Sequence, residues 1–395
     1  MEQPEFDFRI KGRPLKVGII SGELFAPKIT GIGGFGWAAK QLSQCFSQNV
    51  ELGIEAVLLM ARKVEASHTK IETLHGSRVL WRTGTLREQF RRIQAEKFDL
   101  LVSIDNQAIY RLFFWAVPRT PILFWIRDPW PPADKALIQS LKIPGSSHPP
   151  RGTQSRDMRS FCLDYYLSQA LGRPMSFAVP APFLADKILP TYGFQPAKIH
   201  YLPNILARNT RPVQKFTKPT VIVVGRLDPI KRPWLAVALA EKFPTVDFIF
   251  LGENHFKGAG GWEAEALPAN VQMLGHVDGE QKAQLMSSAW VLLNTSIHEG
   301  LPVTFQESLA WETPIISCVN PDQVTAHFGI FVGDANGTGL QILPKFEAAL
   351  NTLLHDSDRR EYLGKAGRIW IESTHNQANF LSVFHSLCQE MNLFL

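Results

Sequence analysis

The chain has 395 residues and a net charge of +5, too long for one ordinary core and suited to two domains of roughly 150–200 residues each. Its N-terminus, MEQPEFDFRIKGRP, is acidic and polar, unlike a secretory signal, and its most apolar stretch, LFFWAVPRTPILFWI, is broken by Pro118, Arg119 and Pro121, so it cannot span a bilayer. Cys45, Cys162, Cys318 and Cys388 lack the spacing of a zinc site or a disulfide framework, and the whole reads as a soluble, cytoplasmic protein.

Short apolar runs alternate with helix-patterned stretches, which predicts an α/β protein with parallel sheets. LKVGII, EAVLLM, DLLVSI and PILFWI are the strands of the first half, with helices over GFGWAAKQLSQCF and TLREQFRRIQAEKF. Before the first helix, GIGGFG spells G-x-G-x-x-G at Gly31, Gly33 and Gly36. A dinucleotide site is not expected there. SGELFAPKIT separates the glycines from their strand, and EAVLLM ends in Ala61 and Arg62 rather than in an acid for a ribose. A tight turn without a ligand is the plain alternative.

The first half is also the basic one. Residues 1–205 carry 26 Lys+Arg and 17 Asp+Glu, or +9, and the remainder is −4. Such a half could attract an anionic ligand, an acidic polysaccharide or an anionic membrane surface. TLREQFRRIQAEKF places Arg87, Arg91 and Arg92 close together and could rest on such a surface; a solvated helix face is the commoner use of that pattern. Residues 143–160, IPGSSHPPRGTQSRDMRS, form a long, basic, Gly/Ser/Pro-rich stretch of the kind that is functional or merely a flexible connection.

PNILARNTRPVQKFTKP reads as a linker. It sets the expected domains at 1–211 and 212–374, with 375–395 a C-terminal helix. The second half restarts the pattern, with strands in TVIVVG, DFIFLG, VQMLG, WVLLNT and PIIS and helices in WLAVALAEKF, QKAQLMSSA and TFQESLAWE.

Chemistry concentrates there. The turn GRLDPIK brings Arg226 and Lys231 just past a strand's carboxyl end, where open α/β sheets bind ligands. Two cations suit a diphosphate, although a solvated charged turn has the same look. WVLLNTSIHEGLPVTFQESLAWE reads as strand, loop and helix, with Pro302 suited to the first helical position. The N–H groups of Val303 and Thr304 then mark a helix start that favours an anion. Glu299 in the loop and Glu307 on the helix could each accept hydroxyl hydrogen bonds; a capping acid and a surface glutamate are the alternatives.

GRLDPIKRP and VQMLGHVDGEQKAQLMSSAWVLLNTSIHEGLPVTFQESLAWETPIIS together resemble the retaining glycosyltransferase family 4, with its GRL-x-x-x-K segment and Glu-x7-Glu motif. The resemblance covers roughly residues 15–60 and 160–375. It implies an α/β GT-B fold: two Rossmann-like domains facing a central cleft, with the C-terminal helix returning to the first domain. It further implies transfer of a hexose, with retention, from a nucleotide diphosphate sugar to a saccharide or lipid-linked acceptor in polysaccharide or glycoconjugate synthesis. UDP-glucose is the first expectation for the donor.

Carried onto this sequence, the resemblance makes Arg226, Lys231 and Glu299 the catalytic set, the two cations on the diphosphate and Glu299 on the transferred sugar. Gly300 and Leu301 lie beside that sugar, and the Val303 and Thr304 N–H groups meet the phosphates. Glu307 holds the ribose, Gly225 borders the donor, and backbone at His276 and Val277 flanks the base. In the first domain Gly33 and Gly34 would touch the donor phosphates.

Three places depart from the family pattern. FWIRDPWPP has Arg127 and Asp128 where a His-Asp pair is common. An arginine stays protonated, so Arg127 either binds an anionic group on donor or acceptor or pairs structurally with Asp128, the second being favoured. PNILA lacks the glycine and aspartate of the family's interdomain motif. Asp356-Ser-Asp358 is a literal D-x-D, read as a helix cap. No metal or other cofactor is expected, and no nucleic-acid partner; peripheral contact with the inner face of a membrane is left open beside a solvated basic face. With no candidate covalent nucleophile at the sugar, a front-side displacement is the expected mechanism. A sugar-nucleotide epimerase of the same fold and a non-catalytic nucleotide-sugar binder are the rival readings.

Overall fold

The computed structural model describes residues 6–394 apart from 61, 107–108, 147–158, 257–261 and 263–266. Ala61 and most of the 143–160 stretch therefore lie outside the described residues. The chain divides into two compact units. One comprises Met1–Pro129, Asp157–Ala207 and His375–Leu395, the other Trp130–Arg156 and Arg208–Thr374.

In the first unit, β1 (Leu15–Ser21), β2 (Ile54–Met60), β3 (Thr73–Leu74), β4 (Ser77–Trp81), β5 (Leu100–Ile104), β6 (Ile122–Trp125), β7 (Met175–Val179) and β8 (His200–Tyr201) form one sheet. The order is β3-β4-β2-β1-β5-β6-β7-β8, and among the described residues only the β3–β4 pair is antiparallel. The central strands are continuous apolar runs because helices cover both faces of a parallel sheet. Those helices are α1 (Gly34–Gln48), α2 (Leu86–Glu96) and α3 (Tyr110–Ala116). The second unit interrupts the series with α4 (Pro132–Gln139), after which α5 (Arg159–Ala170) and the short α6 (Ile188–Tyr192) complete the first. The sequence patterns found β1, β2, β5 and β6; they missed β4 and β7, whose SRVLW and MSFAV carry polar residues among the apolar ones.

The second unit holds β9 (Thr220–Val224), β10 (Asp247–Leu251), β11 (Val271–Met273), β12 (Val291–Asn294), β13 (Ile315–Ser317) and β14 (Gly329–Phe331). They form an all-parallel sheet in the order β11-β10-β9-β12-β13-β14. From β9 the chain first builds outward through β10 and β11, then returns to β12 on the other flank. The order therefore reverses between β9 and β12, which is where such sheets open a crevice at their carboxyl ends. Packed around it are α7 (Pro233–Lys242), α8 (Gly279–Ser288), α9 (Val303–Ala310), α10 (Val324–Phe328), α11 (Leu343–His355) and α12 (Ser357–Thr374). The segment carrying α4 belongs to this unit, where Leu141 and Ile143 pack with Trp234, Leu235 and Ile297.

The last helix, α13 (Gln377–Glu390), is part of the first unit; its Phe380 meets Trp125 and Phe46, and Phe384 meets Phe8. The fold is thus α/β with two sheets of mostly parallel strands. Among the described residues no helix is long and apolar enough to cross a membrane.

Candidate active site

The second unit's site begins where β9 ends. Gly225 has φ +149°, a conformation that favours glycine, and a Cβ on it would lie 3.6 Å from Lys231 Cε. Gly252, at the end of β10, comes so near that a Cβ there would lie 1.8 Å from the Gly225 carbonyl oxygen. The turn that follows is shaped by Asp228, whose carboxylate accepts the Lys231 N–H at 3.1 Å and caps a 3₁₀ turn over Pro229–Lys231. Arg226 extends from its start, half exposed, with Nε 3.5 Å from Asp228 Oδ2.

Beyond β12 lies the second loop. Lys231 Nζ donates to Glu299 Oε1 at 2.5 Å. Ser296 Oγ donates to the same oxygen at 2.6 Å and Asn294 Nδ2 at 3.1 Å. Burial by itself would raise the Glu299 pKa; the Lys231 charge and these three hydrogen bonds outweigh it and hold the carboxyl below its usual range. All three bonds fall on Oε1, which leaves Oε2 for a hydroxyl donor. An ammonium has three protons, so Lys231 can serve a second acceptor while it keeps Glu299.

Four residues on, the chain enters α9. Pro302 sits at the N-cap rather than at the first helical position expected from the sequence, and the helix opens at Val303. The shift leaves the Val303 and Thr304 N–H groups in the first turn, where a helix offers no acceptor four residues back. Leu301 is buried and Gly300 half-buried. Glu307, one turn further, is no solvated surface residue: Lys282 Nζ on α8 donates to both its oxygens, at 2.9 and 2.6 Å. Gly275 accepts the Gly252 N–H through its carbonyl at 2.7 Å, and His276 and Val277 follow it, both half-buried.

Sequence reasoning missed several of these parts. Arg232, fully buried, sits in the left-handed region with φ +47°. It donates to the carbonyls of Thr295 (2.8 Å), Ala335 (2.8 Å) and Ser296 (3.2 Å) and to Cys318 Sγ (3.0 Å). One buried guanidinium thus ties together the loops after β9, β12, β13 and β14. Asn294, Ser296 and Lys282 were also unread. Polar residues closing the apolar strand WVLLNTS were the available signal for the first two; a lone lysine in QKAQLMSSA offered none. Asp356 Oδ1 accepts the Arg359 N–H at 2.9 Å at the start of α12, so the first acid of Asp-Ser-Asp is engaged as a helix cap.

In the first unit, the glycine loop opens α1 with Gly33 as N-cap. A Cβ on Gly33 would lie 2.5 Å from Glu23 Oε2 and one on Gly31 2.8 Å from Glu23 Cγ, whereas one on Gly34 would meet nothing within 4 Å. Gly31 and Gly33 therefore make room for Glu23, and only Gly34 of the expected pair faces open space. Arg127 is buried, and among the described residues its guanidinium meets Asn204 and Trp125 in place of the ion pair expected with Asp128. Its guanidinium donates to Asn204 Oδ1 at 2.8 Å and lies 4.5 Å from the Trp125 ring centroid. Burial pushes its pKa down to about 10, with Asp105 opposing, so it remains a cation at neutral pH. Asp128 instead donates its backbone N–H to Asp105 Oδ2 at 2.8 Å. Asn204, the asparagine of PNILA, also donates its N–H to His375 Nδ1 at 3.2 Å, and burial lowers the His375 pKa to about 3, which keeps that ring neutral.

Residues 208–370 match the family described as glycosyl transferases group 1. A sulfoquinovosyl transferase of Arabidopsis thaliana is 29% identical over 159 residues, spanning 38% of this chain and 29% of that protein. The chain therefore spans under a third of this relative. A sucrose-phosphate synthase from Thermosynechococcus elongatus superposes with a TM-score of 0.70 at 16% identity, over 95% of this chain and 99% of that one. The Anabaena protein HepE in complex with UDP and glucose does so with a TM-score of 0.68 at 13% identity, over 95% and 100%. At such identities these structures establish the fold, with its two mostly parallel sheets. By sequence, the likeness to the glycosyl transferases group 1 family rests on residues 208–370.

Proposed function

We propose that the chain is a retaining glycosyltransferase of family 4 that moves a hexose from a nucleotide diphosphate sugar, UDP-glucose first, to a saccharide or lipid-linked acceptor in polysaccharide or glycoconjugate synthesis. The observation that carries this reading is the geometry of Glu299. One of its oxygens is fixed by Lys231, Ser296 and Asn294, and the other is left for a sugar hydroxyl, at the point where the strand order of the second sheet reverses.

In this reading Arg226 and Lys231 bind the diphosphate and stabilise the charge of the departing nucleotide. The Val303 and Thr304 N–H groups add the favourable field of the α9 start. Glu299 Oε2 accepts from the transferred sugar, with Gly300 and Leu301 beside it. Glu307, held by Lys282, accepts from the ribose hydroxyls, and Gly225, His276 and Val277 border the nucleotide. The acceptor hydroxyl attacks the anomeric carbon on the face from which the diphosphate leaves. The C–O bond to phosphate breaks, the new glycosidic bond forms, and the acceptor proton passes to the departing phosphate oxygen. No metal takes part in this proposal; the cations are Arg226 and Lys231.

Turnover across UDP-, GDP- and ADP-sugars with a panel of saccharide and lipid-linked acceptors tests it. The expected result is a glycosylated acceptor of unchanged anomeric configuration with release of UDP. Free epimerised sugar in the absence of acceptor points to an epimerase, and binding with no product on any acceptor points to a non-catalytic binder.

A further inference from the structure

After β6 the chain passes into the second unit at Trp130 and builds α4 there. Pro131 is the N-cap of that helix and Pro132 its first residue, so two restricted φ angles set its start. Past the helix, Leu141 and Ile143 are buried in one apolar cluster with Trp234, Leu235 and Ile297, and Leu137 and Ile230 pack against it. Two of these residues belong to the loops of the candidate active site. Ile230 directly precedes Lys231, and Ile297 stands two positions before Glu299. The Ile297 N–H donates to the Ile230 carbonyl at 2.8 Å, so the two loops are joined at the cluster that the α4 segment helps to build.

Between Ile297 and Glu299 lies His298, a polar side chain that is only 7% exposed. Its ring meets the Trp130 ring edge-on, with centroids 5.6 Å apart, and its Nδ1 lies 3.7 Å from Asp134 Oδ2. Both neighbours come from the α4 segment, and all three residues belong to the second unit. At that distance the Asp134 contact is too long for a hydrogen bond; it is an ion pair when the ring is protonated and a packing contact when it is not. A further tie holds the segment past α4, where Ser140 Oγ accepts the Gly337 N–H at 3.4 Å. Glu299 is thereby held at two places. Lys231, Ser296 and Asn294 hold Oε1, and that alone would let the carboxylate swing about one anchored oxygen. With the backbone next to it set by His298, the direction of Oε2 is determined as well.

We propose that Trp130 and Asp134 are positioning residues for the donor site: by enclosing His298 they set the backbone at Glu299 and so aim Oε2 at the transferred sugar. The proposal rests on the reading of Glu299 as the residue that accepts from that sugar. In the same reading the nucleotide is held by other groups, Arg226, the α9 start and Glu307, so a loosened enclosure acts on the sugar and spares the nucleotide. A segment that merely covered Ile297 and Trp234 from water would, when loosened, lower stability without that selectivity.

The test takes the full chain with Trp130→Ala, Asp134→Ala, Trp130→Phe and Ser140→Ala. It reads amide hydrogen exchange, turnover, and binding of the nucleotide and nucleotide sugar that the wild type uses, UDP and UDP-glucose first. The two alanine variants at Trp130 and Asp134 should be folded by circular dichroism and exchange at least about tenfold faster over residues 298–301. Their affinity for UDP should stay within about twofold of wild type while their preference for UDP-glucose over UDP falls about tenfold. Their kcat should fall about 10- to 100-fold, since a misplacement of about 1 Å suffices for that. Trp130→Phe keeps a ring against His298 and should remain near wild type. Ser140→Ala loosens the same segment away from His298 and should leave the sugar preference unchanged.

Wild-type exchange in the folded alanine variants overturns the proposal, as does an equal loss of UDP and UDP-glucose affinity. A Trp130→Ala chain that fails to fold leaves Asp134→Ala to decide. A wild type that neither prefers the nucleotide sugar to the nucleotide nor transfers a sugar sinks the reading of Glu299, and the aim at a sugar with it. That result is distinct from wild-type exchange and turnover in the variants of an active chain, which sinks the positioning role alone.

Discussion

Lys231 and Glu299 lie 68 positions apart in the chain, yet Lys231 Nζ sits 2.5 Å from Glu299 Oε1. Each follows one of the two central strands, β9 and β12, between which the order of the second sheet reverses. The pair does two things at once. The ammonium keeps a largely buried carboxylate ionised, and the carboxylate fixes the ammonium without exhausting its protons. Ser296 and Asn294 complete the anchoring on the same oxygen.

That arrangement has a consequence for stability against pH. Burial raises the Glu299 pKa, and Lys231 with the hydrogen bonds lowers it further than that, so the folded value lies below the unfolded one of 4.5. The carboxylate's contribution is therefore present above about pH 4.5 and is lost as pH falls through the lower folded value. Glu299→Gln removes this component. The gap in melting temperature between wild type and variant should narrow from about pH 6 to about pH 3, and a gap constant over that range contradicts the assignment.

Arg127 and Asn204 should behave as a coupled pair. The buried guanidinium donates to Asn204 Oδ1 at 2.8 Å, and a hydrogen bond to a charged group contributes about 1.5–3 kcal/mol. In denaturant unfolding, Arg127→Met and Asn204→Ala should each destabilise. Their double-mutant cycle should show a coupling of about 1.5–3 kcal/mol. Additivity within about 0.5 kcal/mol means that the two side chains do not meet.

The glycines of the α1 loop should separate. Gly33→Ala places a methyl 2.5 Å from Glu23 Oε2, whereas Gly34→Ala meets nothing within 4 Å. The first is expected to lower the melting temperature and the second to leave it unchanged or slightly raised, because alanine favours the helix that begins there. Equal losses from the two substitutions contradict the packing role given to Glu23. If Gly34 also serves a ligand, Gly34→Ala lowers turnover at unchanged stability.

Much of this was legible in the residue order. Buried parallel strands are continuous apolar runs, so TVIVVG, DFIFLG and WVLLNT announced β9, β10 and β12 before any coordinates. The turn after β9, the loop before α9 and α9 itself carried charges at the spacing of the family motif, which singled out Arg226, Lys231, Glu299 and Glu307. Pairing was not legible, because it depends on strand order. Nothing in QKAQLMSSA says that Lys282 reaches Glu307, and KRP does not say that Arg232 is wholly buried among carbonyls. Asp128, adjacent to Arg127 in sequence, was the natural partner to expect. The guanidinium reaches instead Asn204, 77 positions along the chain. Helix α5 escaped notice because it buries Asp164 and Ser168 while exposing Leu163, Tyr166 and Leu167, the reverse of the usual amphipathic pattern.

The central claim, that Lys231 stabilises a departing nucleotide diphosphate, is tested most directly by the turnover of Lys231→Ala with the donor that the wild type uses. Removing one fixed counter-charge from such a site costs roughly 2.7–4 kcal/mol, or about 10²–10³ in kcat. Glu299 keeps Ser296 and Asn294 as partners in that variant, so circular dichroism should show it folded. The account predicts a folded protein with kcat reduced about 10²–10³; a folded Lys231→Ala that turns over at the wild-type rate contradicts it.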